Sequence, residues 1–248
     1  MSLNGKTVLI TGATGAVGQA CVAVLLERGA QVMMTDRARP PQMPTGNIAF
    51  LQADVTDREA MQSLVKATLD RFGKIDALVL AAGIEGPVAP VEEISEADLD
   101  AVLAVNLKGS LFALQAALPG MKAQGSGSIV ALSSISGVIG SASLAAYTMS
   151  KHAIIGLVRA AALEAAPSGV RINAVCPGPI ESNMMRRLDN ALSDRYPDRP
   201  LAVPGAGVPL QRYVTADEVA RMIAFLCSDD AASCTGGAYM VDGGFTAK

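Results

Sequence analysis

The stretch that most constrains this chain lies near its start. Lys6-Thr-Val-Leu-Ile-Thr11 is a short apolar run, followed by Gly-Ala-Thr-Gly-Ala-Val-Gly18 and a helical pattern, Gln19–Arg28, that ends at Gly29. The apolar run reads as a buried strand, and the segment closed by glycine reads as a helix. Glycines between them let the backbone turn tightly and approach a pyrophosphate, which then rests at the helix N-terminus. That order assigns Gly12, Thr14, Gly15, Ala16, Val17 and Gly18 to a dinucleotide-binding turn.

The alternation continues down the chain. Strands are predicted at Gln31–Thr35, Ile48–Ala53, Ala77–Ala81, Ser128–Leu132, Val170–Cys176 and Ala238–Val241. Between them, Thr56-Asp57-Arg58-Glu59 reads as a capping box opening a helix to about Phe72, and Ser95 to Asp98 has cap-like spacing. Asn106–Ala123 reads as a helix with Leu107, Leu111, Leu114 and Leu118 near one face, and Thr215-Ala-Asp-Glu218 caps another through Leu226. The fold class expected is α/β. It is a single domain over residues 1–248: a Rossmann-type, doubly wound parallel sheet of about seven strands, with helices on both faces.

Such sheets bind ligands at the carboxyl ends of their strands. Asp36, Asp54, Gly83, Ser134 and Pro177 all fall at those ends. Asp36 stands 18 residues after Gly18, near the distance at which an acidic residue meets ribose hydroxyls. A carboxylate there accepts both hydroxyl protons and repels a 2′-phosphate, so NAD is expected over NADP, with neighbouring Arg37 softening the preference.

Tyr147-Thr-Met-Ser-Lys151 carries the chemistry. The downstream pattern is helical, so phenol and amine stack at i and i+4. A cation about 4 Å away is worth roughly 4 kcal/mol at an effective dielectric near 20. That is enough to move a phenol from its usual pKa of about 10 toward neutrality, before desolvation takes some of it back. A tyrosine tuned in that way exchanges a proton with a carbinol or carbonyl oxygen.

Composition narrows the alternatives. The net charge is 20 − 23 = −3, and no basic run exceeds Arg186-Arg187, so no nucleic-acid or anionic-membrane partner is expected. No apolar run reaches about 18 residues, so no span is expected. The first strand begins at Lys6 without a secretory leader, and the setting expected is cytoplasmic. Cys21, Cys176, Cys227 and Cys234 form no CxxC pair and read as free buried thiols. One histidine, His152, argues against a histidine-based metal site or a Ser-His-Asp triad, and no metal is expected.

Together these residues resemble the short-chain dehydrogenase/reductase family, in its compact single-domain branch, from Lys6 to Gly244. Tyr147-x-x-x-Lys151, Ser134 thirteen residues earlier and Asn106 forty-one residues earlier match the family's catalytic spacing. The resemblance implies that Ser134 binds the substrate oxygen and Tyr147 transfers the proton. Lys151 would lower the phenol's pKa and hold the nicotinamide ribose, and Asn106 would anchor a water leading to solvent. Ser133 and Ser136 compete with Ser134 for its role, and Asn106 is alternatively a helix cap. The resemblance also places Asp54 and Val55 at the adenine, Ala82 and Gly83 along the ribose, and Pro177, Gly178, Ile180 and Ser182 at the carboxamide.

Two departures stand out. Glycine is at position 15 and alanine at 16 where the branch usually has Gly-x-Gly, and Leu80-Ala81-Ala82-Gly83 replaces Asn-Asn-Ala-Gly. Residues 183–212 show no clean periodicity and include Pro197, Pro200, Pro204 and Pro209; the resemblance makes them the substrate cover. Met184 and Met185 suggest an apolar wall there, and Arg186 and Arg187 are candidates to meet an anionic substrate. The helix from Ala153 to Ala166 is apolar almost all round, which implies a homo-oligomer, a tetramer by resemblance. The function expected is NAD-dependent hydride transfer between a secondary alcohol and its ketone. The alternatives are a 3-oxoacyl thioester (acyl carrier protein) reductase using NADPH and a non-catalytic NAD-binding sensor or scaffold.

Overall fold

The computed structural model describes residues 1–197, 205 and 207–247. Seven parallel strands form one sheet in the order β3-β2-β1-β4-β5-β6-β7. They are β1 Thr7–Thr11, β2 Gln31–Asp36, β3 Ile48–Gln52, β4 Ala77–Leu80, β5 Gly127–Leu132, β6 Val170–Pro177 and β7 Ala238–Val241. Strand order reverses between β1 and β4, where a doubly wound sheet opens its crevice.

Alternate residues of each strand feed two cores. Leu9, Leu78, Ile129 and Ile172 face one side. There they meet Met61 and Leu64 of α2 (Arg58–Phe72), Leu114 and Met121 of α4 (Ser110–Gln124), and Ile154 and Val158 of α5 (Ala145–Ala165). Val8, Ile10, Val79 and Val175 face the other, against Cys21 and Leu25 of α1 (Ala16–Glu27) and Ile223 and Leu226 of α7 (Ala216–Cys227). Each large side chain fully buried in this way contributes about 1.5–3 kcal/mol, which fixes strand register and hence the row of strand ends.

Several expectations are refined. α1 starts at Ala16, not Gln19, because Gly15 is its N-cap; Ala16, Val17 and Gly18 therefore supply first-turn N–H groups. α2 is capped by Asp57, which accepts the N–H groups of Glu59 and Ala60, while Thr56 donates to Asp54 instead. The box at Thr215 and Glu218 forms as expected. The helix expected from Asn106 begins earlier, as α3 (Glu96–Leu103), and passes through a wide π-helical segment, Ala104–Gly109, into α4. Residues 183–195, expected to be irregular, form a helix, α6 (Asn183–Arg195), with Ser182 as N-cap. The rest of that segment, 198–204 and 206, with Pro200 and Pro204, lies outside the described residues.

The continuous helix Glu96–Gln124 is, by length and composition, long and apolar enough to cross a membrane. Lys108 and Gln115 interrupt it, and Val102, Ala113, Leu114, Ala117 and Met121 are buried in this fold. All four cysteines are free thiols; three are buried and Cys234 is half-buried.

Candidate active site

The glycine turn closes on its neighbours with no room to spare at two positions. Gly12 has φ +67°, and a Cβ there would stand 2.6 Å from the Ala82 backbone. A Cβ on Gly18 would stand 2.2 Å from the Gly12 carbonyl oxygen. Gly15 is different: its nearest neighbour would be 3.4 Å away, and its φ is an ordinary −70°. Ala16 is exposed, so the shifted glycine of this motif costs the turn nothing sterically.

No side chain caps α1, and no acidic residue occupies its first turn, so its N–H groups and positive dipole end face outward over the crevice. This cradle fits a pyrophosphate. Asp36 closes β2 beside it, accepting the N–H of Thr14 at 3.0 Å and that of Ala38 at 3.2 Å. Its carboxylate thus ties the glycine turn to the end of β2. Asp54 accepts the Thr56 N–H and hydroxyl, which, with Arg37 nearby, hold its carboxyl below the usual range. Val55 is buried under Gly109. The lost asparagine pair leaves a threonine in its place: Thr11 accepts the N–H groups of Ala81 and Ala82.

The predicted catalytic residues converge next to Gly83. A Cβ on Gly83 would lie 3.3 Å from Asn106 Oδ1 and 3.5 Å from Lys151 Nζ. Asn106 is buried and caps no helix. The wide turn swings its amide onto the backbone of Ile84, accepting from the N–H at 2.8 Å and donating to the carbonyl at 3.0 Å. The same amide donates to Ser150, whose hydroxyl donates to the Tyr147 carbonyl.

The three serines separate cleanly. Ser133 donates to the Lys151 carbonyl at 2.9 Å and so anchors α5. Ser136 pairs with Ser141. Ser134 accepts the Ser136 N–H and is hydrogen-bonded to the Tyr147 phenol, which makes it, of the three, the hydroxyl at that phenol.

One expectation is overturned. Burial raises the Tyr147 phenol to about 12, Ser134 opposes the rise, and the Glu85 carboxylate adds to it. Lys151 does not bring the phenol down. Its Nζ donates to the Leu132 carbonyl at 2.8 Å, lies 5.5 Å from the Tyr147 ring centre, and is itself lowered to about 8 by burial. Desolvation is the largest cause at both groups: it raises the phenol and lowers the amine. The protein alone therefore presents a protonated phenol at neutral pH.

Around the far edge, Pro177 ends β6, and Gly178 packs so closely on Asp242 that a Cβ would lie 2.9 Å from its Cα. Ile180 pairs with Val214, and Ser182 accepts the Met185 N–H as the cap of α6. Two contributors were missed in the sequence, Ser150 and Glu85. Ser150 had a signal, standing three residues after Tyr147 on the same helix. Glu85 had none: it is a loop residue whose partner, Arg187, is 102 positions away.

With this geometry in view, the comparisons are specific. A family model described as Enoyl-(Acyl carrier protein) reductase matches residues 12–246. An uncharacterized oxidoreductase of Thermotoga maritima is 38% identical over 256 residues, covering 100% of both chains. Levodione reductase of Leifsonia aquatica is 34% identical, over 98% of this chain and 94% of its own. The crystal structure of a levodione reductase superposes with a TM-score of 0.92 at 33% identity, over 98% of each chain. The structure of ElxO with NADP bound matches at a TM-score of 0.88 and 32% identity, over 98% of this chain and 99% of its own. The chain belongs to the short-chain dehydrogenase/reductase family. It is an oxidoreductase of that family.

Proposed function

We propose that this enzyme interconverts a small secondary alcohol and its ketone, with NAD preferred over NADP. The observation that carries the reading is one connected cluster at the edge of the pyrophosphate cradle: Asn106 and Lys151 meet beside Gly83, Lys151 lies 5.5 Å from the Tyr147 ring, and Ser134 is hydrogen-bonded to the Tyr147 phenol. When bound, the nicotinamide dinucleotide supplies or accepts the hydride. Gly12 and Gly18 shape its seat, and Asp36 receives the ribose hydroxyls. Ser134 holds the substrate oxygen. Tyr147 gives that oxygen its proton during reduction and removes it during oxidation. Asn106 fixes the Ile84 backbone and, through Ser150, the turn of α5 that carries Tyr147. Levodione reductase, by its name, acts on a diketone, which supports a carbonyl substrate here.

The test is the absorbance of reduced nicotinamide across cyclic, aromatic, sugar-derived and hydroxyacyl alcohols, with NAD and NADP side by side. Turnover with NAD is expected; silence across the panel while NADH binds would favour a non-catalytic binding protein.

Asp36 supports the cofactor preference, although relatives of this fold bind NADP. Asp36→Ala is expected to raise kcat/KM for NADPH relative to NADH by about tenfold or more, since removing the carboxylate relieves charge repulsion at the 2′-phosphate. The same change frees the Thr14 N–H, so NADH itself binds more weakly. An unchanged cofactor ratio would remove Asp36 from this role.

We also infer a homo-oligomer, a tetramer by resemblance, assembled through α5. Among the described residues nothing covers its outer face, with Leu163 79% and Met149 46% exposed and Gly156 and Ala160 open between them. Covering that face would bury apolar surface at about 25 cal/mol per Å². Light scattering at micromolar concentration should give a multiple of the 25.4 kDa chain; a monomeric mass would refute the assembly.

A further inference from the structure

α6 is fastened over the crevice at three points. Arg187 Nε donates to Glu85 Oε1 at 2.6 Å, Arg195 pairs with Glu93, and the Tyr196 hydroxyl shares a 2.9 Å hydrogen bond with Ser143. Of these, the first stands beside the reacting groups. Glu85 follows Ile84, whose N–H and carbonyl are both held by the Asn106 amide, so its backbone is fixed relative to the catalytic helix. Its side chain is only 18% exposed, and its charge is felt at the Tyr147 phenol.

We propose that Glu85 and Arg187 form a charge-neutral wall that restricts this site to uncharged secondary alcohols and ketones. The proposal rests on the dehydrogenase reading above and narrows its substrate class. The sequence offered Arg186 and Arg187 as receptors for an anion, but Arg187 is paired with Glu85, as Arg195 is with Glu93, while Arg186 is exposed and bonds the neutral Asn183 side chain, so the cation held against Glu85 is already neutralised. Lys151 is turned inward onto the Leu132 carbonyl. A carboxylate on the substrate would have to take Arg187 from Glu85 and would leave the Glu85 charge uncompensated beside Tyr147. Arg187 is 62% exposed and Glu85 18%, so the cost falls on the shielded Glu85 carboxylate, left without its partner. A neutral substrate leaves the pair intact. Discrimination here is built from an opposing charge and a masked attractive one, rather than from a dedicated contact.

Matched probes read this directly: 3-hydroxybutyrate against its methyl ester, and 4-hydroxycyclohexanecarboxylate against its methyl ester. The wild-type protein should favour each ester in kcat/KM by about tenfold or more, as like charge at close range dictates. Glu85→Gln keeps the shape and frees Arg187, so the acid-to-ester ratio should rise by about tenfold or more. Arg187→Met leaves Glu85 unpaired and should move the ratio the opposite way. A wild-type preference for the acids, or turnover with a ratio unmoved in both variants, overturns the inference alone. Turnover of neither member of either pair, nor of any alcohol in the wider panel, overturns the dehydrogenase reading and this inference with it.

Discussion

Tyr147→Phe should lower kcat by about 10²–10⁴-fold, the range for losing a positioned general acid–base group. The substitution removes one oxygen and keeps the ring, so the packing of α5 against the sheet persists. Lys151 remains bonded to Leu132, and Asn106 to Ile84 and Ser150, because neither relies on the phenol. NADH affinity, followed by fluorescence titration, should therefore stay near the wild-type value, and the melting temperature should change little. The expected signature is a fall in kcat and kcat/KM together, which marks a contact made in the transition state. Turnover like that of the wild type would end the proposed mechanism. Weakened NADH binding accompanying the loss would instead make Tyr147 part of the cofactor seat.

Gly18→Ala should be far more damaging to the dinucleotide turn than Gly15→Ala. The added carbon at 18 meets the Gly12 carbonyl oxygen at 2.2 Å and the Ala13 Cα at 2.7 Å, both backbone atoms that cannot swing aside. Relief requires moving α1 away from β1 or reshaping the turn, at a cost of about 1–3 kcal/mol for an overpacked site. For a chain of this size that is roughly 2–12 °C in melting temperature. Because α1 must shift, its first-turn N–H groups leave the pyrophosphate position, and NADH affinity should fall by about tenfold or more. At 15 the new carbon has only an ordinary contact at 3.4 Å and a favourable φ, so stability should fall by no more than about 1 kcal/mol, the ordinary cost of alanine at an N-cap. Equal behaviour of the two variants in melting and titration would refute this division of labour between the glycines.

Much of this could be read in the sequence because it is local. Each strand announces itself by an apolar run between breakers. The capping box at Thr215 is complete within four residues, and the Tyr147–Lys151 spacing is a single helical turn. The row of Asp36, Asp54, Gly83 and Ser134 followed from strand ends alone. What escaped depends on distant parts. α6 was hidden because prolines from 197 onward dominated the reading of a longer window, although Ser182 and Pro197 bracket the helix. The cap of α2 shifted from Thr56 to Asp57 because Asp54 claims the threonine hydroxyl. The direction of the Tyr147 pKa was misjudged because the attraction of a neighbouring lysine can be counted from spacing, whereas burial of both groups cannot. Asp36 binding Thr14, and Glu85 binding Arg187, join residues 22 and 102 positions apart.

The wide turn at Ala104–Gly109 puts one surplus residue into an otherwise regular helix. Upstream and downstream segments are thereby out of phase by about 100°, one residue's rotation. Losing Leu107 or Lys108 would restore ordinary winding and keep Ala113, Ala117 and Met121 in step with the sheet. It would also rotate Asn106 off Ile84 and Ser150. Catalytic competence in this scaffold is thus set partly by helix length counted in single residues. An in-frame loss of one codon could yield a folded dinucleotide binder that retains its serine, tyrosine and lysine yet has lost the alignment among them.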